Sequence, residues 1–223
     1  PSAEIVSVRS EGDIHRTNYL DISKRMAQLA HSLISIGVKP GDRIATLAWN
    51  GYRHLELYYA ISGIGAVCHT INPRLSSDQL TYIVNHAEDL LLFVDLTFVP
   101  ILEAVKDRLP LEMKIIILTD KKHMPKTSLK SMCYEELLKD KPQKINWPDF
   151  NEDTAASLCY TSGTTGEPKG TLYSHRSTVL HAMMLAISLP NALKEGKKIL
   201  PVVPLFHVNA WGVPYCALIT GIT

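Results

Sequence analysis

Helix-like and strand-like segments alternate along the first part of the chain, and this alternation limits the possible folds more than any other feature of the sequence. Long amphipathic stretches with apolar residues at helical spacing give way to short apolar runs such as LLLFVD (90–95) and KIIILTD (114–120). Strands that alternate with helices are joined by crossovers, so their sheet is mostly parallel. The sequence therefore predicts an α/β fold with a mostly parallel sheet flanked by helices.

Turn and capping residues divide these stretches into elements. We expect Thr17 to cap a first helix that ends at Gly37, Ser76 or Ser77 to cap another, and Pro100 to lie in the first turn of a third. A further helix is expected at 52–65, and strands at 43–49, 66–71, 90–95 and 114–120. Basic, proline-bearing residues 121–148 are predicted as a solvated loop around a short helix, YEELL, in preference to a binding patch.

Composition excludes several classes of protein. The net charge of +1 gives no general attraction to nucleic acid or to an anionic membrane. There is no apolar run long enough to predict a transmembrane helix. The four cysteines are scattered, which favours buried, reduced thiols and a cytoplasmic protein. No cysteine or histidine cluster has zinc-site spacing, so a metal site made only of protein ligands is not expected.

The stretch YTSGTTGEPKG (160–170) is the strongest functional signal. It lies between two strand-like segments, so we expect a long hairpin loop. Its glycines let backbone N–H groups approach an anion, and its Thr and Ser hydroxyls can donate to phosphate or bind Mg²⁺. Lys169 adds a positive charge. The composition predicts a loop that binds polyphosphate, in preference to a flexible hairpin without a ligand.

This loop is not a Walker A loop, because Lys169 is followed by Gly170 and the glycine spacing differs. The expected continuation is a strand, and a helix begins only near Ser174. A phosphotransferase that moves the γ-phosphate is therefore disfavoured, although it is kept as an alternative.

YTSGTTGEPKG followed by YSH resembles the phosphate-binding signature of the adenylate-forming (AMP-binding) superfamily. The segment HTINPRLSSDQLTYIVNHAEDLLLFVD (69–95) resembles medium- and long-chain fatty-acid–CoA ligases, and VVPLFHVNAWG (202–212) resembles their second core motif. The chain looks most similar to a subgroup that includes 3-(methylthio)propionyl-CoA ligases. The resemblance spans essentially the whole chain.

The resemblance implies a two-step reaction. A carboxylate attacks the α-phosphate of ATP to give acyl-AMP and pyrophosphate, and coenzyme A then displaces AMP as the thioester forms. ATP, Mg²⁺ and coenzyme A are the implied cofactors and co-substrates. The implied acid is a medium- or long-chain fatty acid or 3-(methylthio)propanoate.

The resemblance also assigns residues. The phosphates that leave as pyrophosphate would contact Thr161, Ser162, Gly163, Thr164, Thr165, Gly166 and Lys169, with Thr161 on the Mg²⁺ side. His207 would be the catalytic residue beside the acyl carboxylate and the α-phosphate. Val208 would contact nucleotide and acyl group, and Trp211 would gate the acyl pocket. Trp211 lies four residues after His207, so a helix there would place both on one face.

Without the resemblance, a histidine between Phe206 and Val208 is more simply a core residue, and so is Trp211. We expect residues 1–223 to be a partial N-terminal AMP-binding domain, the first part of the large domain of an acyl-CoA synthetase. Such a fragment is expected to be inactive alone, and a homodimer is expected. The alternative is a non-catalytic remnant that folds and binds nucleotide.

Overall fold

The computed structural model describes residues 3–161 and 167–223. The strands are β1 (Glu4–Val8), β2 (Ile14–Asn18), β3 (Arg43–Leu47), β4 (Val67–Thr70), β5 (Leu91–Val94), β6 (Lys114–Ile117), β7 (Ser131–Cys133), β8 (Ala155–Thr161) and β9 (Lys169–Ser174). The helices are α1 (Tyr19–Ser35), α2 (Tyr52–Gly63), α3 (Ser77–Ala87), α4 (Val99–Val105), α5 (Tyr134–Leu138), α6 (His175–Ser188) and α7 (Val213–Thr220).

The main sheet has seven strands in the order β7-β6-β5-β3-β4-β8-β9. All neighbouring pairs are parallel except β8 and β9, which are antiparallel. The α/β fold and the mostly parallel sheet are therefore confirmed, as is the hairpin expected on either side of residues 162–166. The crossover from β3 runs to β4 on one side and the crossover from β5 runs to β6 on the other, so the strand order reverses between β3 and β5.

The first helix is capped by Asn18 and not by Thr17, so that prediction was wrong. The Asn18 side chain accepts a hydrogen bond from the Asp21 amide at 3.0 Å. Thr17 is still inside β2, where it pairs with Ile5. For α3 the cap is Ser76, which forms a reciprocal capping box with Gln79.

Sequence reasoning missed the two-stranded sheet of β1 and β2, and it missed β7 within the basic segment. Val6, Val8 and Ile14 of this strand pair remain exposed, so the sequence contains no buried apolar run that would predict these strands. Strand β7 is only three residues long and is recognisable mainly by its pairing with β6. The short helix YEELL is confirmed as α5.

Apolar layers cover both faces of the sheet. Helices α1 and α2 pack on one face, with Leu29, Leu57 and Ile61 completely buried. Helices α3 and α4 pack on the other face, where Ile83 and Leu102 are completely buried. Within the described ranges, none of the helices combines the length and the apolar character that a membrane crossing requires.

A network of charged side chains joins three of the helices. Glu56 of α2 has a fully buried side chain, and it accepts hydrogen bonds from Arg25 of α1 at 2.6 Å and from Tyr134 of α5 at 2.6 Å. Glu135 of α5 lies between Arg25 and Arg53, at 2.9 Å from each. Burial raises the pKa of Glu56, and the nearby Arg25 opposes that rise.

We predict that Arg25→Met lowers the free energy of unfolding by about 3–5 kcal/mol, because it leaves the carboxylate of Glu56 buried without its charge partner. The matched control is Lys24→Met, which removes the same charge one residue earlier. Lys24 pairs with Asp21 at 3.0 Å on the surface, so its loss is expected to cost less than about 1 kcal/mol. Urea unfolding of both variants measures the difference. Equal losses would contradict a stabilising role for the buried pair.

Candidate functional site

Strands β3, β4 and β8 end at one edge of the sheet, and a later segment crosses this edge. The Asn50 amide donates to the carbonyl oxygens of Pro201 at 2.9 Å and Val203 at 3.2 Å. Its side-chain oxygen accepts from the Leu205 amide at 2.7 Å. Open α/β sheets bind ligands outside the carboxyl ends of their strands, where the strand order reverses. The crossing segment therefore lies where a ligand site is expected.

The ends of the phosphate loop meet at the same edge. Thr161 closes β8 and pairs across the antiparallel ladder with Lys169, which opens β9. Both residues are exposed. The exposed hydroxyl is a hard oxygen donor, which suits Mg²⁺, and the exposed ammonium group suits phosphate. The other predicted phosphate-binding residues lie outside the described residues: Ser162, Gly163, Thr164, Thr165 and Gly166.

The second predicted motif forms a left-handed turn, and this corrects the prediction that His207 and Trp211 share a helical face. Val208, Asn209, Ala210 and Trp211 have φ values of 47°, 50°, 48° and 55°. The left-handed conformation costs about 1–2 kcal/mol for each non-glycine residue. Strained backbone of this kind persists only where surrounding contacts impose it, and it concentrates at functional sites.

Asn209 anchors this turn to strand β8. Its side chain is buried, and its amide nitrogen donates to the Ser157 hydroxyl at 2.7 Å. Its amide oxygen accepts from the Cys159 thiol at 3.3 Å. Burial raises the pKa of Cys159, so this thiol stays protonated and can donate. Sequence reasoning did not single out Asn209, because nothing in the sequence places it against β8.

A second anchor holds the far end of the turn. The Trp211 carbonyl oxygen accepts a hydrogen bond from His181 Nε2 of α6 at 3.0 Å. Because a carbonyl can only accept, this nitrogen carries the proton. Gly212 follows with φ of 72°. A Cβ atom built on Gly212 would lie 2.6 Å from His181 Cδ2, so only glycine fits beside the ring.

The turn forms one wall of a cavity of about 330 Å³. Strand β9 and helices α6 and α7 contribute the other walls. The residues that line it are Tyr173, Ser177, Thr178, His181, Val208, Asn209, Trp211, Gly212 and Tyr215. Among the described residues the Tyr215 hydroxyl, which is buried, has no hydrogen-bond partner.

The cavity brings together two of the three predicted acid-binding residues. Val208 and Trp211 line it, and the Trp211 side chain is 62% exposed. His207 does not line it and is exposed at the start of the turn. No described residue makes a hydrogen bond to the His207 ring, which leaves the imidazole open toward solvent. Tyr173, near the end of β9, lines the cavity as well, although the sequence analysis did not name it as a site residue.

The whole chain matches the model of a known protein family. The family model of the AMP-binding enzymes, described as "AMP-binding enzyme", matches residues 1–223. The chain belongs to this family. The family recognised from YTSGTTGEPKG and PLFHVNAWG is thereby confirmed.

Two curated relatives show which members of the family are similar. The chain is 48% identical over 219 residues to a medium-chain-fatty-acid–CoA ligase of Ectopseudomonas oleovorans, a match that covers 98% of this chain and 40% of the relative. It is 47% identical over 219 residues to a 3-methylmercaptopropionyl-CoA ligase of Ruegeria lacuscaerulensis, covering 98% and 41%. The chain therefore spans about two fifths of the length of these relatives.

A solved structure supports the fold. A putative long-chain-fatty-acid CoA ligase from Rhodopseudomonas palustris superposes with a TM-score of 0.80 at 24% identity. The superposition covers 93% of this chain and 50% of that chain. At this identity the likeness concerns the fold alone, and it matches the α/β architecture described above.

We predict that Gly212→Ala destabilises the AMP-binding chain by about 2–4 kcal/mol, from the left-handed conformation and from displacement of His181. The matched control is Gly196→Ala. Gly196 has φ of 80°, but no atom lies within 4 Å of the position that a Cβ would take there. The control isolates the conformational cost, which is about 1–2 kcal/mol. Urea unfolding compares the two variants, and an equal loss would show that the packing of His181 against Gly212 contributes nothing.

Proposed function

We propose that this chain is the first part of the large domain of an ATP-dependent fatty-acid–CoA ligase. The whole protein would join a carboxylic acid to coenzyme A through an acyl-AMP intermediate. The acid would be a medium- or long-chain fatty acid or 3-(methylthio)propanoate, and the two relatives are named for a medium-chain fatty acid and for 3-methylmercaptopropionate. The remaining contacts to adenine, ribose and coenzyme A would come from residues outside positions 1–223.

One observation carries this proposal. Strand β8 supports both halves of the candidate site, because it ends at Thr161 and also holds Asn209 through Ser157 and Cys159. The ends of the phosphate loop and the wall of the cavity are therefore fixed by a single strand. Formation of acyl-AMP requires this proximity, since the acid must reach the α-phosphate of a nucleotide held by its other phosphates.

The phosphate side depends on charge neutralisation. Lys169 would contact the β- and γ-phosphates together with the loop residues 162–166, and the Thr161 hydroxyl would face Mg²⁺. When bound, Mg²⁺ supplies positive charge that stabilises the departing pyrophosphate. Lys169 stabilises the same developing charge from the protein side.

The acid side depends on shape. Val208 and Trp211 line the cavity and would contact the acyl chain. His207, exposed at the start of the same turn, would lie beside the acyl carboxylate and the α-phosphate. An imidazole in that position can orient the carboxylate or donate to a phosphate oxygen. The turn sets the direction of His207, Val208 and Trp211 together, so its strain serves the positioning of the acid.

The test is acid-dependent release of pyrophosphate by the full-length protein with ATP, Mg²⁺ and coenzyme A. Lys169→Ala is expected to lower kcat by about 10²–10³-fold, because it removes a charge that stabilises the transition state. Lys139→Ala is the matched control, since Lys139 is exposed beside α5 and far along the sheet order from β9. It is expected to leave the rate unchanged.

Residues 1–223 alone are expected to release no pyrophosphate in this assay. Acyl-CoA formation by residues 1–223 that is lost in Lys169→Ala would overturn the division of the site between this chain and later residues. Nucleotide binding by the full-length protein without any turnover would instead support the non-catalytic alternative. Transfer of the γ-phosphate to an acceptor would point to a phosphotransferase.

We predict that Trp211→Ala shifts the acid preference toward longer chains, because it removes an indole from the cavity wall. The ratio of kcat/KM for a long-chain acid to that for a short-chain acid is expected to rise about tenfold or more. Trp147→Ala is the control, because Trp147 packs beside Gly63 and not in the cavity. The same shift in both variants would exclude a specific role for Trp211.

We also propose a cytoplasmic homodimer. The four cysteines are free, which fits a reducing compartment. Light scattering of the full-length protein measures its mass, and a monomer at working concentrations would remove the dimer from the proposal.

A further inference from the structure

Three potential metal ligands lie close together near the carboxyl end of strand β6, away from the candidate active site. Glu11 follows β1, and Asp120 and His123 lie in the turn after β6. One ligand atom from each residue can be chosen so that all three lie within 4.8 Å of one another. We propose that this Glu11–Asp120–His123 cluster is a binding site for a zinc-class divalent cation.

The buried carboxylate of Glu11 points to a ligand. Its side chain is only 1% exposed. One oxygen accepts hydrogen bonds from Arg53 at 2.7 Å and from the Thr119 hydroxyl at 3.0 Å. The other oxygen, Oε2, is buried and has no hydrogen-bond partner among the described residues. A buried carboxylate oxygen is costly to leave unpaired, and a bound cation would satisfy it.

The charges around the cluster also favour a cation. Contacts link Glu11 to Arg53, Arg53 to Glu135, Glu135 to Arg25, and Arg25 to Glu56. With Asp120, this set of contacts holds four carboxyl groups against two guanidinium groups, and Arg9, which pairs with Asp13, also lies near Glu11. The exposed Lys121 and Lys122 beside Asp120 offset part of this excess from the solvent side. A divalent cation would offset the negative charge that remains near Glu11 and Asp120.

The chemical types of the three ligands indicate which class of metal would bind. Two carboxylates and one imidazole suit zinc-class ions, whereas Mg²⁺ and Ca²⁺ prefer oxygen ligands throughout. Asp120 and His123 are already joined at 2.8 Å. Their side chains are 31% and 33% exposed, which gives an ion a path from solvent and leaves room for a water as fourth ligand. Bound metal would tie the connection between β1 and β2 to the turn after β6.

The local sequence could not reveal this site. Asp120 and His123 are three residues apart, but Glu11 lies near the start of the chain, far from both in sequence. The expectation that no metal site is made only of protein ligands rested on cysteine and histidine spacing alone. The fold brings the third ligand into place through the ion pair of Glu11 with Arg53.

The test is titration of purified, chelator-treated protein with Zn²⁺, and with Co²⁺ as a spectroscopic probe. We expect one tight equivalent of metal, a rise in Tm with Zn²⁺, and a Co²⁺ absorption band typical of tetrahedral nitrogen and oxygen ligands. His123→Ala is expected to weaken binding at least tenfold and to remove the Tm shift. Because His123 is partly exposed, this variant should still fold.

His31→Ala is the control, since His31 is a histidine outside the cluster and its ring contacts the Lys144 carbonyl at 2.9 Å. It should bind metal like the unchanged protein. Asp120→Asn provides a second variant that keeps a side-chain oxygen for the backbone cap. Equal affinity in His123→Ala and the unchanged protein, a thiolate-to-cobalt band, or only millimolar binding would overturn the proposal.

Discussion

The buried carboxylate of Glu56 is the constraint on which the arrangement of the helices depends. A charge with no exposure to solvent requires partners, and these come from α1 and α5. Arg25 and Tyr134 can reach Glu56 only if those two helices lie against α2. The same network continues through Glu135 to Arg53. These hydrogen bonds add directional contacts between α1, α2 and α5 to the apolar packing that the helices share.

That arrangement also fixes the carboxyl edge of the sheet. Helix α2 carries Tyr58, whose hydroxyl donates to the Leu205 carbonyl, and Tyr59, whose hydroxyl donates to the Pro214 carbonyl at 2.5 Å. Burial raises the pKa of both tyrosines, so both hydroxyls keep the proton that they donate. The helix held by Glu56 therefore holds the segment before the left-handed turn and the helix after it.

The sequence was sufficient where a signal is local. The central strands, a helix cap at Ser76 or Ser77 and the hairpin around residues 162–166 follow from apolar runs, capping residues and glycine content. It was insufficient where the deciding contact is distant. Helical spacing suggested a shared face for His207 and Trp211, but the contacts of Asn209 with β8 and of Trp211 with α6 accompany a left-handed turn instead. Strand β7 likewise depends on its neighbour β6.

Two parts of the candidate site depend on strand β8, namely the left-handed turn and the ends of the glycine-rich hairpin at 160–170. Glycine allows backbone conformations that other residues rarely adopt, and the sequence of this hairpin contains Gly163, Gly166 and Gly170. The turn has side chains at Val208 and Trp211, so its left-handed backbone needs support from contacts outside the turn. Ser157 and Cys159 give that support from within β8, a few residues before the strand ends at Thr161. A shift of β8 would therefore move the cavity wall and the two ends of this hairpin together.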